Sequence, residues 1–84
     1  MQRAAVSVAS NIVEGFRRRT VKESLSFYNK ADGSLEELRY QLLLSHDLHY
    51  IPQDELQIAE GLAQEVSRLL HAWSKSQREN IRQT

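Results

Sequence analysis

Cysteine is absent from the 84-residue sequence. That removes disulfides, thiol chemistry and zinc sites built on thiolates. Proline occurs once, at Pro52, and glycine three times, at Gly15, Gly33 and Gly61, so the chain has few places to turn. The longest apolar runs are no longer than Leu42-Leu43-Leu44, far short of the roughly 20 residues that a membrane span needs. We therefore expect no membrane contact through a span, no secretory signal and a cytoplasmic location. An excess of either charge is also missing: 11 basic and 11 acidic residues give a net charge of zero. A neutral chain has no overall attraction to nucleic acid or anionic lipid, so any such contact must come from a local patch. The length allows one small domain over residues 1–84 and excludes a large enzyme with a deep cleft. So short a chain buries a modest share of its surface, and self-association would help it.

What is present is helical periodicity, almost from end to end. Ala5, Ala9, Ile12 and Phe16 are spaced four, three and four apart in a first helix over about 2–17. Gly15 either caps that helix or makes room for a neighbour. Thr20 followed three residues later by Glu23 fits a capping box and opens a second helix over about 21–49. Its apolar residues form two adjoining stripes, Val21, Leu25, Tyr28, Leu35 and Leu42 beside Phe27, Ala31, Leu38 and Ser45. Two stripes predict neighbours on two sides. Gly33, mid-helix, predicts close packing or a bend. Pro52 separates this helix from a third, over about 53–80. There Ala59, Leu62, Val66, Leu69 and Trp73 make the seam of an antiparallel bundle, flanked by Leu56, Ala63 and Leu70. The polar stretch from Lys75 to Thr84 is expected to fray. The fold class is thus all-α: three helices in an up-down antiparallel bundle, the first too short to cover the two long ones.

The stretch from Arg3 to Phe16 reads RAAVSVASNIVEGF. It resembles the RAAxSIxxNIAEGxxR signature of the four-helix-bundle proteins encoded in 23S rRNA intervening sequences. The accessory variability proteins of diversity-generating retroelements are similar. A second motif, AxGSxxEL, is matched from Ala31 to Leu38, and Leu42, Leu43, Leu44 and Tyr50 follow as in the family's LLLA…LGY region. The resemblance runs from about Arg3 to Trp73. It implies a four-helix bundle, here without its first helix, and a ring-like homo-oligomer, often a pentamer. It also implies RNA or DNA, and a reverse transcriptase, as partners of the retroelement relatives. Those relatives are markedly basic, whereas this chain is neutral.

Arg17, Arg18, Arg19 and Lys22 form the densest basic cluster. They are candidates for phosphate contact at the turn between the first two helices. The plainer alternative is a solvated helix end that suits the dipole, with Glu14 and Glu23 neutralising part of it. The family-motif residues Arg3, Asn11, Glu14, Gly15, Gly33, Ser34 and Glu37 are expected to act structurally. Asn11 and Glu14 share a helix face, and Glu37 with Arg39 or Arg3 is a candidate for the same network. His46 and His49 have metal-ligand spacing but no evident third ligand. No nucleophile, base and orienting group can be assembled. We therefore expect a non-enzymatic scaffold or interaction module without metal or cofactor, the alternative being a nucleic-acid-binding accessory subunit of a retroelement reverse transcriptase.

Overall fold

The computed structural model describes residues 2–83, with side chains from 2 to 79. Three helices follow in order: α1 (Gln2–Arg17), α2 (Val21–Asp47) and α3 (Gln53–Gln83). No strand occurs among the described residues, and no helix there is long and apolar enough to cross a membrane.

The boundaries have local causes. Thr20 has extended backbone (φ −105°, ψ 148°) and its Oγ1 accepts from the Glu23 backbone N–H at 3.2 Å. This satisfies one of the donors that a helix start leaves open. The end of α2 is a Schellman motif: Tyr50 N donates to Ser45 O at 2.8 Å and His49 N to His46 O at 2.9 Å. His49 takes the left-handed conformation (φ 64°) that glycine usually supplies. The turn therefore begins before the expected end at residue 49, and α2 stops at Asp47. The Pro52 carbonyl accepts the first bond of α3, from Leu56 N at 3.0 Å. That helix runs on past Lys75, where fraying was expected, to Gln83. Thr84 lies outside the described residues.

Both neighbours of α2 run antiparallel to it. Ser7 meets Ser34 while Gly15 meets Tyr28, so α1 numbers rise as α2 numbers fall. Asp32 faces His71 and Arg39 faces Glu60, which sets the same sense for α3. As the two adjoining stripes predicted, α2 carries a neighbour on each side. The backbones of α1 and α3 do not approach each other. The two helices therefore occupy diagonal corners across α2, and the fourth corner of the square is open.

The core joins Val8, Tyr28, Ala31, Leu35, Ala63 and Leu70. Its composition corrects two expectations. On α1 the buried line is Ala4, Val8 and Gly15, offset by one residue from the Ala5–Phe16 stripe. On α3 the flank Leu56, Ala63 and Leu70 is buried, while most of the seam faces the open corner. Gly15 does not cap its helix. A Cβ there would stand 2.5 Å from Tyr28 Cε1, so the glycine makes room for the ring. Gly33 is exposed and a Cβ would meet nothing within 4 Å, so neither close packing nor a cap explains it within this chain.

Candidate functional site

Two features separate this molecule from an inert bundle: an apolar groove in the open corner and a charged end.

The groove lies between α1 and α3 with α2 as its floor. It has a volume of about 300 Å³ and is lined by Ala5 and Val8 of α1, Leu35 and Leu38 of α2, and Leu62 and Val66 of α3, among others. No charged side chain lines it. Its rim is still more apolar: Ile58 and Leu62 are each 65% exposed. At one end Phe16 closes it. The Phe16 ring stands edge-on to Trp73 at 5.0 Å and to Tyr28 at 5.7 Å, yet 59% of the residue remains exposed. Burial raises the pKa of the Tyr28 phenol, which sits beneath this cluster.

The same aromatic contact fixes where the charges lie. Phe16 beside Trp73 puts the C-terminal end of α1 level with residue 73 of α3. Both helices run the same way, so Lys75 and Arg78 continue past Trp73 toward the end that carries Arg17, Arg18, Arg19 and Lys22. Sequence reading found the α1–α2 cluster and missed Lys75 and Arg78, because only the parallel course of α1 and α3 brings them to it. Glu14 draws on the cluster. It pairs with Arg18, and its Oε1 is 3.8 Å from Arg17 Nη1. Arg18 also lies over the Phe27 ring at 5.0 Å, and Lys30 over the same ring at 4.8 Å. Arg19 and Lys22 make no ion pair among the described residues. Glu23 leaves them free; its backbone N–H serves the Thr20 cap instead.

The family-motif residues are dispersed rather than gathered into one polar site. Asn11 Nδ2 donates to Ser7 O at 2.8 Å and lies 3.2 Å from Ser7 Oγ. Ser7 Oγ in turn shares a 2.7 Å hydrogen bond with Ser34 Oγ, tying α1 to α2. Ser24 Oγ, buried, donates to Gly15 O at 2.8 Å and ties the same pair of helices near the turn. Glu14 is turned toward its arginines, so Asn11 and Glu14 share a helix face without sharing a network. Glu37 accepts from Gln41 Nε2 at 3.4 Å. It does not join Arg39, which binds Glu36 at 3.2 Å and Glu60 at 3.3 Å. These carboxylates raise the Arg39 pKa, Glu60 most of all. Arg3 is exposed and makes no ion pair among the described residues. The Arg39–Glu60 link across α2 and α3, and the approach of His71 Nε2 to Asp32 Oδ2 at 3.6 Å, have no signal in sequence spacing.

His46 and His49 are parted by the turn: His46 stays on the helix while His49 is left-handed beyond it. Among the described residues no group of three or more histidine, aspartate or glutamate side chains could hold a metal ion.

No curated protein and no solved structure matches the chain. The family model of the 23S rRNA-intervening sequence protein matches residues 1–72. That span holds both motifs, the Ser7–Ser34 link, the Gly15 seat for Tyr28 and the whole of the groove lining, and the chain belongs to the 23S rRNA-intervening sequence protein family.

Proposed function

We propose that this protein is a non-enzymatic, self-assembling scaffold whose copies associate through apolar surface left uncovered within one chain. The observation that carries this reading is the open corner. The chain exposes 6152 Å², whereas a compact monomer of its mass exposes roughly 5,100 Å². Its radius of gyration is 14.7 Å, against roughly 12 Å for a compact chain of this length. The extra surface is apolar where it lines the groove, and apolar surface of that kind marks an interaction site. The ring-like pentamer is the assembly that the family resemblance implies. Light scattering on a size-exclusion peak tests the reading: we expect a helical oligomer of defined mass, and a folded 9.7-kDa monomer at micromolar concentration would refute it.

The second reading is a nucleic-acid-binding accessory subunit, of the kind that serves a reverse transcriptase. It is favoured by the basic end, where Arg19 and Lys22 stand unpaired beside Arg17, Arg18, Lys75 and Arg78. One chain offers few phosphate contacts, so useful affinity requires several copies to add their fields. Filter binding of RNA and DNA at low and high salt tests it. We expect binding that falls steeply with salt and is lost when Arg17, Arg18 and Arg19 are replaced by alanine. Retained affinity in that variant would clear the cluster of the role.

A further inference from the structure

We infer that the open corner between α1 and α3 is covered by the same face of a second copy, turned end for end. This rests on the scaffold reading and specifies the contact. Three observations carry it.

The first is area. The chain exposes 6152 Å², an excess of about 1,000 Å² over a compact monomer of its mass. A standard interface buries about 800 Å² per partner. The uncovered surface is thus the size of one subunit's share of a stable contact.

The second is the shape and chemistry of the face. Its α1 side is built on small residues, Ala5 and Ala9, while its α3 side carries Ile58, Leu62 and Leu69. α1 and α3 are parallel. A two-fold axis perpendicular to both lays each α1 antiparallel to the partner's α3. The bulky ridge of one copy then meets the alanine track of the other, twice over. Such an isologous contact is satisfied by the single surface that this chain possesses. The groove has no charged lining to desolvate.

The third is charge. Net neutrality hides an electrical polarity along a molecule 51 Å long. Arg17, Arg18, Arg19 and Lys22 lie at one end with Lys75 and Arg78. Glu36, Glu37, Asp47, Asp54 and Glu55 lie toward the other. Turning the second copy end for end sets each basic end beside an acidic one. A ring with all helices along its axis would instead set like ends side by side. The charges are exposed and screened over about 8 Å at physiological salt. They select the direction of pairing, and the apolar face supplies the affinity.

Sedimentation or light scattering of the full chain is the test, with circular dichroism as the check on folding. Wild-type protein should have twice the protomer mass, or an even multiple of it. Leu62→Glu, at an exposed rim position, should keep its helix content and fall to the protomer mass, its dissociation constant raised roughly a hundredfold or more by an unpaired charge in the contact. Ile58→Glu should act alike. Tyr40→Glu, on the far side of α2, should leave the mass unchanged. A pentamer, or any odd assembly, would overturn the pairing while leaving the scaffold reading standing. So would an oligomer broken by Tyr40→Glu but not by Leu62→Glu. A folded wild-type monomer would overturn both.

Discussion

Substituting the two helical glycines by alanine should shift stability in opposite directions, although both sit inside α-helices. Alanine is favoured over glycine in a helix interior by about 1 kcal/mol. At Gly33 nothing opposes that gain, because a new Cβ meets no atom within 4 Å. Gly33→Ala should therefore stabilise by about 1 kcal/mol, which for a chain of this size raises Tm by roughly 4–8 °C. At Gly15 the new Cβ would stand 2.5 Å from Cε1 and 2.8 Å from Cδ1 of Tyr28. That ring is 2% exposed, packed against Phe16 and Trp73, and has nowhere to swing. Overfilling a packed core costs about 1–3 kcal/mol, and an immovable ring puts this site at the upper end. After the helix gain is subtracted, Gly15→Ala should destabilise by about 2 kcal/mol and lower Tm by roughly 8–16 °C. The assay is thermal unfolding followed by far-ultraviolet circular dichroism, at one protomer concentration for all variants, since assembly makes Tm depend on concentration. A neutral or stabilised Gly15→Ala would refute the account of the Tyr28 seat. A destabilised Gly33→Ala would show that a surface outside this chain packs on that bare stretch of α2.

Thr20→Ala should cost about 1 kcal/mol in chemical denaturation by removing the acceptor for Glu23 N, and Thr20→Ser should restore most of it. The Glu65 carboxylate accepts from Arg68 at 2.5 and 3.1 Å, which lowers its pKa below the ordinary glutamate value of 4.5. Its contribution to stability is accordingly complete above the ordinary range and is lost as pH falls through the lowered value. NMR titration should find that midpoint depressed in wild type and back near 4.5 in Arg68→Ala; an unchanged midpoint would refute the pairing. Arg39→Ala should weaken the α2–α3 contact by about 0.5–1 kcal/mol, since the pair with Glu60 is half-buried rather than sealed. A double-mutant cycle with Glu60→Gln would isolate that coupling.

Helix number, order and direction were all legible in the sequence, because punctuation is scarce and each break is chemical: the Thr20 cap and Pro52. The two-sided burial of α2 was legible too, from its paired stripes. What periodicity could not assign was which edge of an apolar sector meets a neighbour. On α1 the sector runs from Ala4 around past Phe16, and only the Ala4–Val8–Gly15 edge touches α2. On α3 the more regular line, Leu62 to Leu69, is the less covered one. A sector wider than the chain can cover misleads a search for the core, and the discrepancy itself points to the open corner. The candidate site was legible in part for a different reason. Arg17 to Lys22 adjoin in sequence, whereas Lys75 and Arg78 join them through the parallel course of α1 and α3, which no local spacing records. Ser7 and Ser24 gave no signal because small hydroxyls read as helix surface until a partner helix supplies Ser34 Oγ and Gly15 O.

Trp73 is the single tryptophan of the chain. It stands where all three helices converge, 5.0 Å from the Phe16 ring and 6.1 Å from that of Tyr28. The protein thus carries an intrinsic fluorophore at the mouth of its own groove. Its emission reports in real time on whether α1 and α3 are held together, and excitation energy passed from Tyr28 reports separately on α2. With no cysteine to interfere, a thiol-coupled acceptor can be placed at will on any helix, and the opening or covering of the corner becomes a distance read from one native side chain.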